Sequence, residues 1–158
     1  TNGAGAVALT MAAALVVKPF IERADLLLDR FPSEGGVAGR GARYTRNRDV
    51  MVAGMRELGF ETLLADRWLS PIIVTFFCPD DPKFVFAKFY DLMKDKGFII
   101  YPGKLTVVDS FRVGCIGRMD EHVMRKVVQA AKECLAALGV TSAAPPPAAI
   151  AERAKLAA

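Results

Sequence analysis

Histidine is almost absent from this chain of 158 residues, which contains one, His122. Zinc sites, Cys–His nucleophile pairs and hydrolase triads use imidazole as a ligand or a base, so the sequence gives them little support. His122 follows Glu121 at the start of a predicted helix, where a solvent-exposed or capping histidine is typical. We therefore predict no metal site and no hydrolytic centre.

Cysteine and net charge are also low. The three cysteines, Cys78, Cys115 and Cys134, lack metal-ligand spacing and lie in apolar patterns, so we interpret them as buried thiols of a cytoplasmic, reducing environment. The 21 basic and 17 acidic residues are interleaved and give a formal net charge of +4. This balance does not favour a nucleic-acid partner.

Long apolar runs are missing as well. The one candidate, residues 4–17, is shorter than the roughly 20 residues that span a bilayer, and no basic region precedes it as in a signal peptide. We predict no membrane partner and treat residues 1–31 as an apolar, helical N-terminal segment, with a helix over 20–31 that ends before Pro32. Because the chain begins without methionine and with apolar residues, we expect it to be a piece of a longer polypeptide.

The remaining sequence alternates helical and strand patterns. The glycine-rich residues 32–41 predict a connector, and the Pro- and Ala-rich tail, residues 141–158, has too few large apolar groups to dock firmly. Between them we predict a helix with an apolar stripe from Tyr44 to Leu58, followed by a strand over 72–78 that is buried on both faces. A helix from Asp80 to Lys96 should follow, with Val85, Phe89, Leu92 and Met93 pointing inward, and then a strand over 98–101, a turn at Pro102 and Gly103 and a strand over 111–116. The last predicted helix runs from Asp120 to Leu138 and buries Val123, Val127, Ala131, Leu135 and Leu138.

This order predicts an α+β domain of the α/β class over residues 32–140. Its small, mostly antiparallel sheet carries helices on one face. The other face stays open, so a second domain or subunit could cover it.

Arg112 is the most informative residue of that sheet. In the strand pattern Phe111, Val113 and Cys115 point one way, while Arg112, Gly114 and Ile116 point the other. An arginine in a sheet needs a partner, and the missing side chain at Gly114 leaves room for one to approach. A bidentate anion suits the guanidinium, but a structural salt bridge to Asp109 or Asp120 competes evenly with ligand binding.

Several motifs over residues 34–139 together resemble one enzyme family. They include Glu34 to Tyr44, Met55 to Phe60, Ser70 to Ile73, Gly97-Phe98-Ile99-Ile100-Tyr101-Pro102-Gly103-Lys104 and Phe111-Arg112-Val113-Gly114-Cys115-Ile116-Gly117. In this order they resemble the C-terminal small domain of the 2-aminoethylphosphonate:pyruvate aminotransferases, class V members of the fold-type I pyridoxal-phosphate enzymes.

The resemblance implies transfer of the amino group of 2-aminoethylphosphonate to pyruvate, giving phosphonoacetaldehyde and L-alanine in phosphonate catabolism. It implies pyridoxal 5'-phosphate as cofactor and a homodimer for the full-length enzyme. Arg112 matches the substrate-binding arginine of the family, and Tyr101, Gly103 and Gly114 are expected to support it near the mouth of the site.

The Schiff-base lysine and the other main cofactor-binding residues of the family lie in its large domain, and no matching motif is present here. We therefore expect no catalytic residue in this chain and no activity of the chain alone. Three alternatives stay open: a self-standing anion-binding domain, a protein-interaction domain, and the small domain of another class V aminotransferase.

Overall fold

The computed structural model describes residues 32–103 and 108–157. The predictions for residues 1–31 and the motif residue Lys104 lie outside these ranges. The chain divides into two compact units, Thr1–Gly41 and Ala42–Ala158. The predicted division at residues 31 and 140 stays a prediction.

Four α-helices, one short 3-10 helix and three strands make up the described ranges. In chain order they are α1 (Gly36–Glu57), the 3-10 helix (Asp66–Trp68), β1 (Ile73–Phe77), α2 (Phe86–Asp95), β2 (Tyr101–Pro102), β3 (Ser110–Gly114), α3 (Glu121–Leu138) and α4 (Pro147–Ala157).

The first unit corrects the prediction of a connector over residues 32–41, because α1 already begins at Gly36. The Gly39 amide donates to the Gly35 carbonyl at 3.2 Å, and Arg40 pairs with Glu34 at 2.9 Å. A glycine in a helix costs only about 1 kcal/mol relative to alanine. The free energy contributed by this hydrogen bond and this ion pair offsets that cost. Glycine content alone therefore misplaced the start of the helix.

The sheet of the second unit is antiparallel, with the strand order β1-β3-β2. Thr75 and Tyr101 both lie opposite Arg112, one on each side of β3. A bridge between Thr62 and Phe76 extends the pairing beyond β1. This α+β architecture, a small antiparallel sheet packed against helices, confirms the predicted fold class.

The Tyr101-Pro102-Gly103 segment is not a turn, as its composition predicted, but the edge of the sheet. Tyr101 and Pro102 pair with β3, and the Gly103 amide continues the ladder by donating to the Ser110 carbonyl at 2.7 Å. Proline lacks an amide hydrogen, which an edge strand tolerates. The strand predicted over residues 98–101 accordingly begins only at Tyr101.

The inner face of the sheet packs on α2 and α3 around Phe111, which is fully buried. Its ring centroid lies 5.5 Å from that of Phe60, 5.8 Å from Phe76 and 5.6 Å from Phe89. Edge-on and offset aromatic pairs at such distances add to the stabilisation from apolar burial. Residues from β1, from α2 and from the segment after α1 thus pack on one side chain of β3.

The prediction that β1 is buried on both faces is wrong at the start of the strand. Ile73 is 37% exposed and Thr75 is half-buried, whereas Val74 and Phe76 on the inner face are buried. The outer face of β1 is therefore open at Ile73, whereas it is buried at Phe77.

The predicted helix ends are confirmed at Gly59, Gly97 and Gly139, which all adopt positive φ (99°, 86° and 73°). The start of α3 is confirmed too, since Asp120 Oδ1 accepts a hydrogen bond from the Val123 amide at 3.1 Å. Helix α3 buries Val127, Ala131 and Leu135 as predicted, together with Met124, Ala130 and Cys134, but Val123 and Leu138 are only half-buried.

Helix α2 begins at Phe86 rather than near Asp80. The Asp81 carboxylate accepts hydrogen bonds from the Lys83 amide at 2.9 Å and from the Thr141 amide at 3.3 Å, which hold a turn before the helix. Val85 is consequently 43% exposed instead of buried, and Leu92 is half-buried. Phe89 and Met93 are buried as predicted.

The tail docks, contrary to the prediction. Ala143 and Ala149 are 1% and 0% exposed, and the Asp80 amide donates to the Ala144 carbonyl at 2.9 Å. From α4, Arg153 pairs with Glu61 at 2.7 Å. The tail was predicted not to dock because its side chains are mostly small. Small side chains allow two backbones to approach closely, however, so the alanines are the reason that the tail packs.

We expect Ala149→Glu to destabilise the chain by about 2–4 kcal/mol, because it places a carboxylate at a fully buried position. Ala148→Glu, at the exposed neighbouring residue, is the matched control and should change the free energy of unfolding by less than about 0.5 kcal/mol. Urea unfolding measures both. Equal, small effects would show that α4 does not dock in solution.

Candidate functional site

Arg112 lies in the central strand, and its side chain leaves the outer face of the sheet. Phe111, Val113 and Cys115 are buried at 0%, 5% and 0% exposure, while Arg112 and Gly114 are half-buried. This confirms the alternation predicted from the sequence. Pairing on both sides fixes the backbone of Arg112, so its side chain starts from a rigid position.

The guanidinium of Arg112 is only partly satisfied. Its Nη2 donates to the Pro102 carbonyl at 3.2 Å, whereas its buried Nε has no hydrogen-bond partner. In the part of the chain that the structure describes, no carboxylate forms an ion pair with Arg112. Asp120 instead caps α3. Neither of the two salt bridges considered for Arg112, to Asp109 or to Asp120, is present.

The two neighbouring glycines differ sharply in the space around them. A methyl group at Gly114 would meet no heavy atom within 4 Å, whereas one at Gly103 would overlap Ser110 Oγ and lie 2.8 Å from the Ser110 carbonyl oxygen. Gly114 thus leaves open space on the face of Arg112, as predicted. Gly103 allows the close approach of two strands.

An apolar cavity of about 470 Å³ lies next to Gly114 and Tyr101, and Arg112 is not part of its lining. Its wall includes Ile73, Ile99, Tyr101, Gly114, Ile116 and Met119. Tyr101 and Ile99 are each 52% exposed and Ile116 is 43% exposed, which is unusual for such large apolar side chains. Strand alternation predicted Ile116 on the face of Arg112, but β3 ends at Gly114. The cavity could not be predicted, because it forms only when residues 97–101 lie next to β3.

The cavity lacks the residues that bind pyridoxal phosphate. Its lining contains neither a lysine for a Schiff base nor a carboxylate for the pyridine nitrogen. Lys96 lies elsewhere and pairs with Glu133 at 2.5 Å, a hydrogen bond that raises the pKa of Lys96, opposite to the shift that activates an amine. The residues that are described therefore do not fit this cofactor.

Other reactive side chains do not form a second site. Burial raises the pKa of the Cys78 thiol to about 12 and that of Cys115 to about 11, and all three cysteines are buried and unpaired by disulfides. His122 is exposed, as predicted. Within residues 32–103 and 108–157, no group of His, Cys, Asp or Glu could hold a metal ion, and no helix there is long and apolar enough to cross a membrane.

Fold and site together define an α+β domain that presents one incompletely paired arginine beside an apolar cavity. Such an arrangement can hold an anionic group.

Comparison with known proteins identifies the relatives of this domain. No family model matches the chain. It is 70% identical over 143 residues to a 2-aminoethylphosphonate–pyruvate transaminase of Rhizobium meliloti (strain 1021), which covers 90% of the chain and 36% of that protein. It is 64% identical over 141 residues to transaminase 1 of that name from Paraburkholderia xenovorans (strain LB400), covering 89% of the chain and 35% of that protein.

A third relative, from Cupriavidus taiwanensis, is 51% identical over 113 residues and carries the same name. The chain is therefore homologous to a portion of the 2-aminoethylphosphonate–pyruvate transaminases, which confirms the resemblance found in its motifs. It spans about a third of the length of these relatives.

The two glycines give opposite predictions. Gly103→Ala should destabilise the chain by about 1–3 kcal/mol, since the added methyl group overlaps Ser110. Gly114→Ala should leave stability unchanged or raise it by up to about 1 kcal/mol, because the space is empty and glycine weakens a strand. Urea unfolding of the two variants tests this, and a destabilised Gly114→Ala would mean that the space is filled.

Proposed function

We propose that this chain is the substrate-anchoring part of a pyridoxal-phosphate-dependent aminotransferase. The whole reaction moves the amino group of 2-aminoethylphosphonate to pyruvate and yields phosphonoacetaldehyde and L-alanine. The observation that carries the proposal is the incompletely paired guanidinium of Arg112 on the open face of a domain homologous to part of these transaminases.

Arg112 binds an oxygen pair of the substrate in this proposal. Both substrates end in an anion, a phosphonate or a carboxylate, and the planar guanidinium suits either one by two parallel hydrogen bonds. The buried Nε supports this role, because it can donate without losing a contact that it already makes. One strand thus anchors the end of the substrate that does not react.

The neighbours of Arg112 shape this anchor. Gly114 keeps the approach open, and Tyr101, opposite Arg112 in the ladder, forms one edge of the site. Gly103 brings the edge strand close to Ser110, which places the Pro102 carbonyl against Nη2 of Arg112. That contact orients the guanidinium before substrate binds.

The cofactor and the chemistry belong to other parts of the polypeptide. Pyridoxal 5'-phosphate supplies the electron sink for amino transfer and is held by a lysine outside this chain. The complete enzyme is a cytoplasmic homodimer, and this chain alone does not transaminate.

A labelling experiment tests the missing cofactor site. Incubating the chain with pyridoxal phosphate and then borohydride should give no single preferentially modified lysine, because no described lysine lies in the cavity. Mass spectrometry of the digest provides the measurement. One uniquely modified lysine together with turnover of 2-aminoethylphosphonate would sink the proposal that the cofactor lies elsewhere.

A chimera tests the role of Arg112. We would replace the matching segment of the Rhizobium meliloti relative with this chain and expect transaminase activity. Arg112→Ala should then lower kcat/KM for 2-aminoethylphosphonate by roughly 100-fold or more, since a buried charged contact is lost. Arg112→Lys should recover only part, because an ammonium lacks the planar fork.

Arg125→Ala is the matched control, since Arg125 lies on the exposed surface of α3 and pairs only loosely with Glu121, at 3.5 Å. It should leave the kinetic constants of the chimera unchanged. An Arg112→Ala chimera as active as this control would reject the proposed anchor, and an inactive unsubstituted chimera would count against the proposed function as a whole.

A further inference from the structure

We propose that Arg43 and Asn47 are positioning residues that hold one wall of the cavity beside Arg112. The wall is the segment of residues 115–119, which joins β3 to the start of α3. Both side chains come from α1, one helical turn apart, so they reach the segment from the same face of the helix. The inference rests on the proposed function, because the wall borders the proposed substrate site.

Asn47 is fully buried and bonds to both ends of the segment. Its Nδ2 donates to the Cys115 carbonyl and to the Met119 carbonyl, each at 3.0 Å. Its Oδ1 has no partner. A buried polar atom left unpaired destabilises the folded chain, so packing alone would favour an apolar side chain at this position. Holding the two carbonyls accounts for an amide here.

Arg43, one helical turn before Asn47 on α1, forms hydrogen bonds to the same segment. Its Nη1 donates to the Gly117 carbonyl at 2.8 Å and to the Met119 carbonyl at 2.6 Å. Hydrogen bonds from a charged donor are stronger than those between neutral groups. With Asn47, three carbonyls of one five-residue segment receive four hydrogen bonds from α1.

The segment needs this support because its own backbone provides little. Outside helices and strands, the described residues make no main-chain hydrogen bond to residues 116–119. The ladder ends where the Cys115 amide donates to the Ile72 carbonyl at 2.8 Å, and backbone bonding resumes at Asp120, the cap of α3. Side chains from α1 therefore fix the path between these two points.

That path decides the shape of the cavity. Gly114, Ile116 and Met119 all belong to its wall, and two of them lie within the segment that α1 holds. Ile116 lies two residues after the end of β3 and is 43% exposed. If the segment shifted, Ile116 and Met119 would change the shape of the cavity next to Gly114 and Tyr101, so Arg43 and Asn47 act on substrate binding through this wall.

Kinetics of the active chimera test the inference. Arg43→Met keeps the apolar stem but removes the donors, and it should raise the KM for 2-aminoethylphosphonate roughly tenfold with kcat changed less than about threefold. Arg43→Lys, which restores one charged donor, should recover part of the loss. Arg46→Met is the control, because Arg46 is an exposed arginine of the same helix, and it should behave like the unsubstituted chimera. If Arg43→Met proves only less thermostable, with KM unchanged, the positioning role is overturned.

A second measurement does not depend on activity. In the isolated chain, ¹⁵N relaxation should give rigid order parameters near about 0.85 for Gly117 and Met119, falling below about 0.6 in Arg43→Met while the helices stay rigid. Order parameters equal to those of Arg46→Met would overturn the inference. If Arg43→Met does not fold, Arg43→Lys is measured instead. We then expect a smaller rise in KM and a smaller fall in order parameter. No change in either quantity would contradict the inference. An inactive unsubstituted chimera would contradict the proposed function, and relaxation alone would then decide the role of Arg43.

Discussion

The alternation of β3 between a buried and an open face is the constraint on which the rest of the structure depends. Phe111 joins the aromatic core on one side, and Arg112 leaves the sheet on the other. Because β3 is paired with both of its neighbours, neither residue can move without disturbing the ladder. The core thus sets the position of the proposed anchor directly, one residue away along the chain.

The same geometry supports the proposal that this domain carries only part of a reaction. It provides a rigid cation, an open space at Gly114 and an apolar cavity, which together suit one anionic end of a small substrate. The lining of the cavity contains no lysine and no carboxylate to hold a cofactor. This division agrees with a chain that covers about a third of its transaminase relatives. Helix α1 contributes to the proposed site through Arg43 and Asn47, which hold the segment of residues 115–119.

Local patterns predicted some elements well and others poorly, for identifiable reasons. Helix ends at Gly97 and Gly139 were predictable, because glycine has no Cβ and adopts the positive φ that ends a helix at little steric cost. The predicted turn at Pro102 failed since turn composition also suits an edge strand, and only pairing with β3 distinguishes them. The docked tail was missed because alanine burial depends on how closely two backbones approach, which composition does not report.

For the site, the sequence by itself determined that Arg112 and Gly114 share one face, and its motifs identified the transaminase relatives. The prediction that Ile116 continues this strand is wrong, since β3 ends at Gly114. Only the tertiary structure decided that Arg112 lacks a carboxylate partner among the described residues, that residues 97–101 close a cavity beside it, and that Arg43 and Asn47 reach the segment after β3. Strand alternation follows from backbone geometry within a few residues. Ion pairing, cavities and long-range hydrogen bonds depend on distances between segments up to 76 residues apart, which only packing sets.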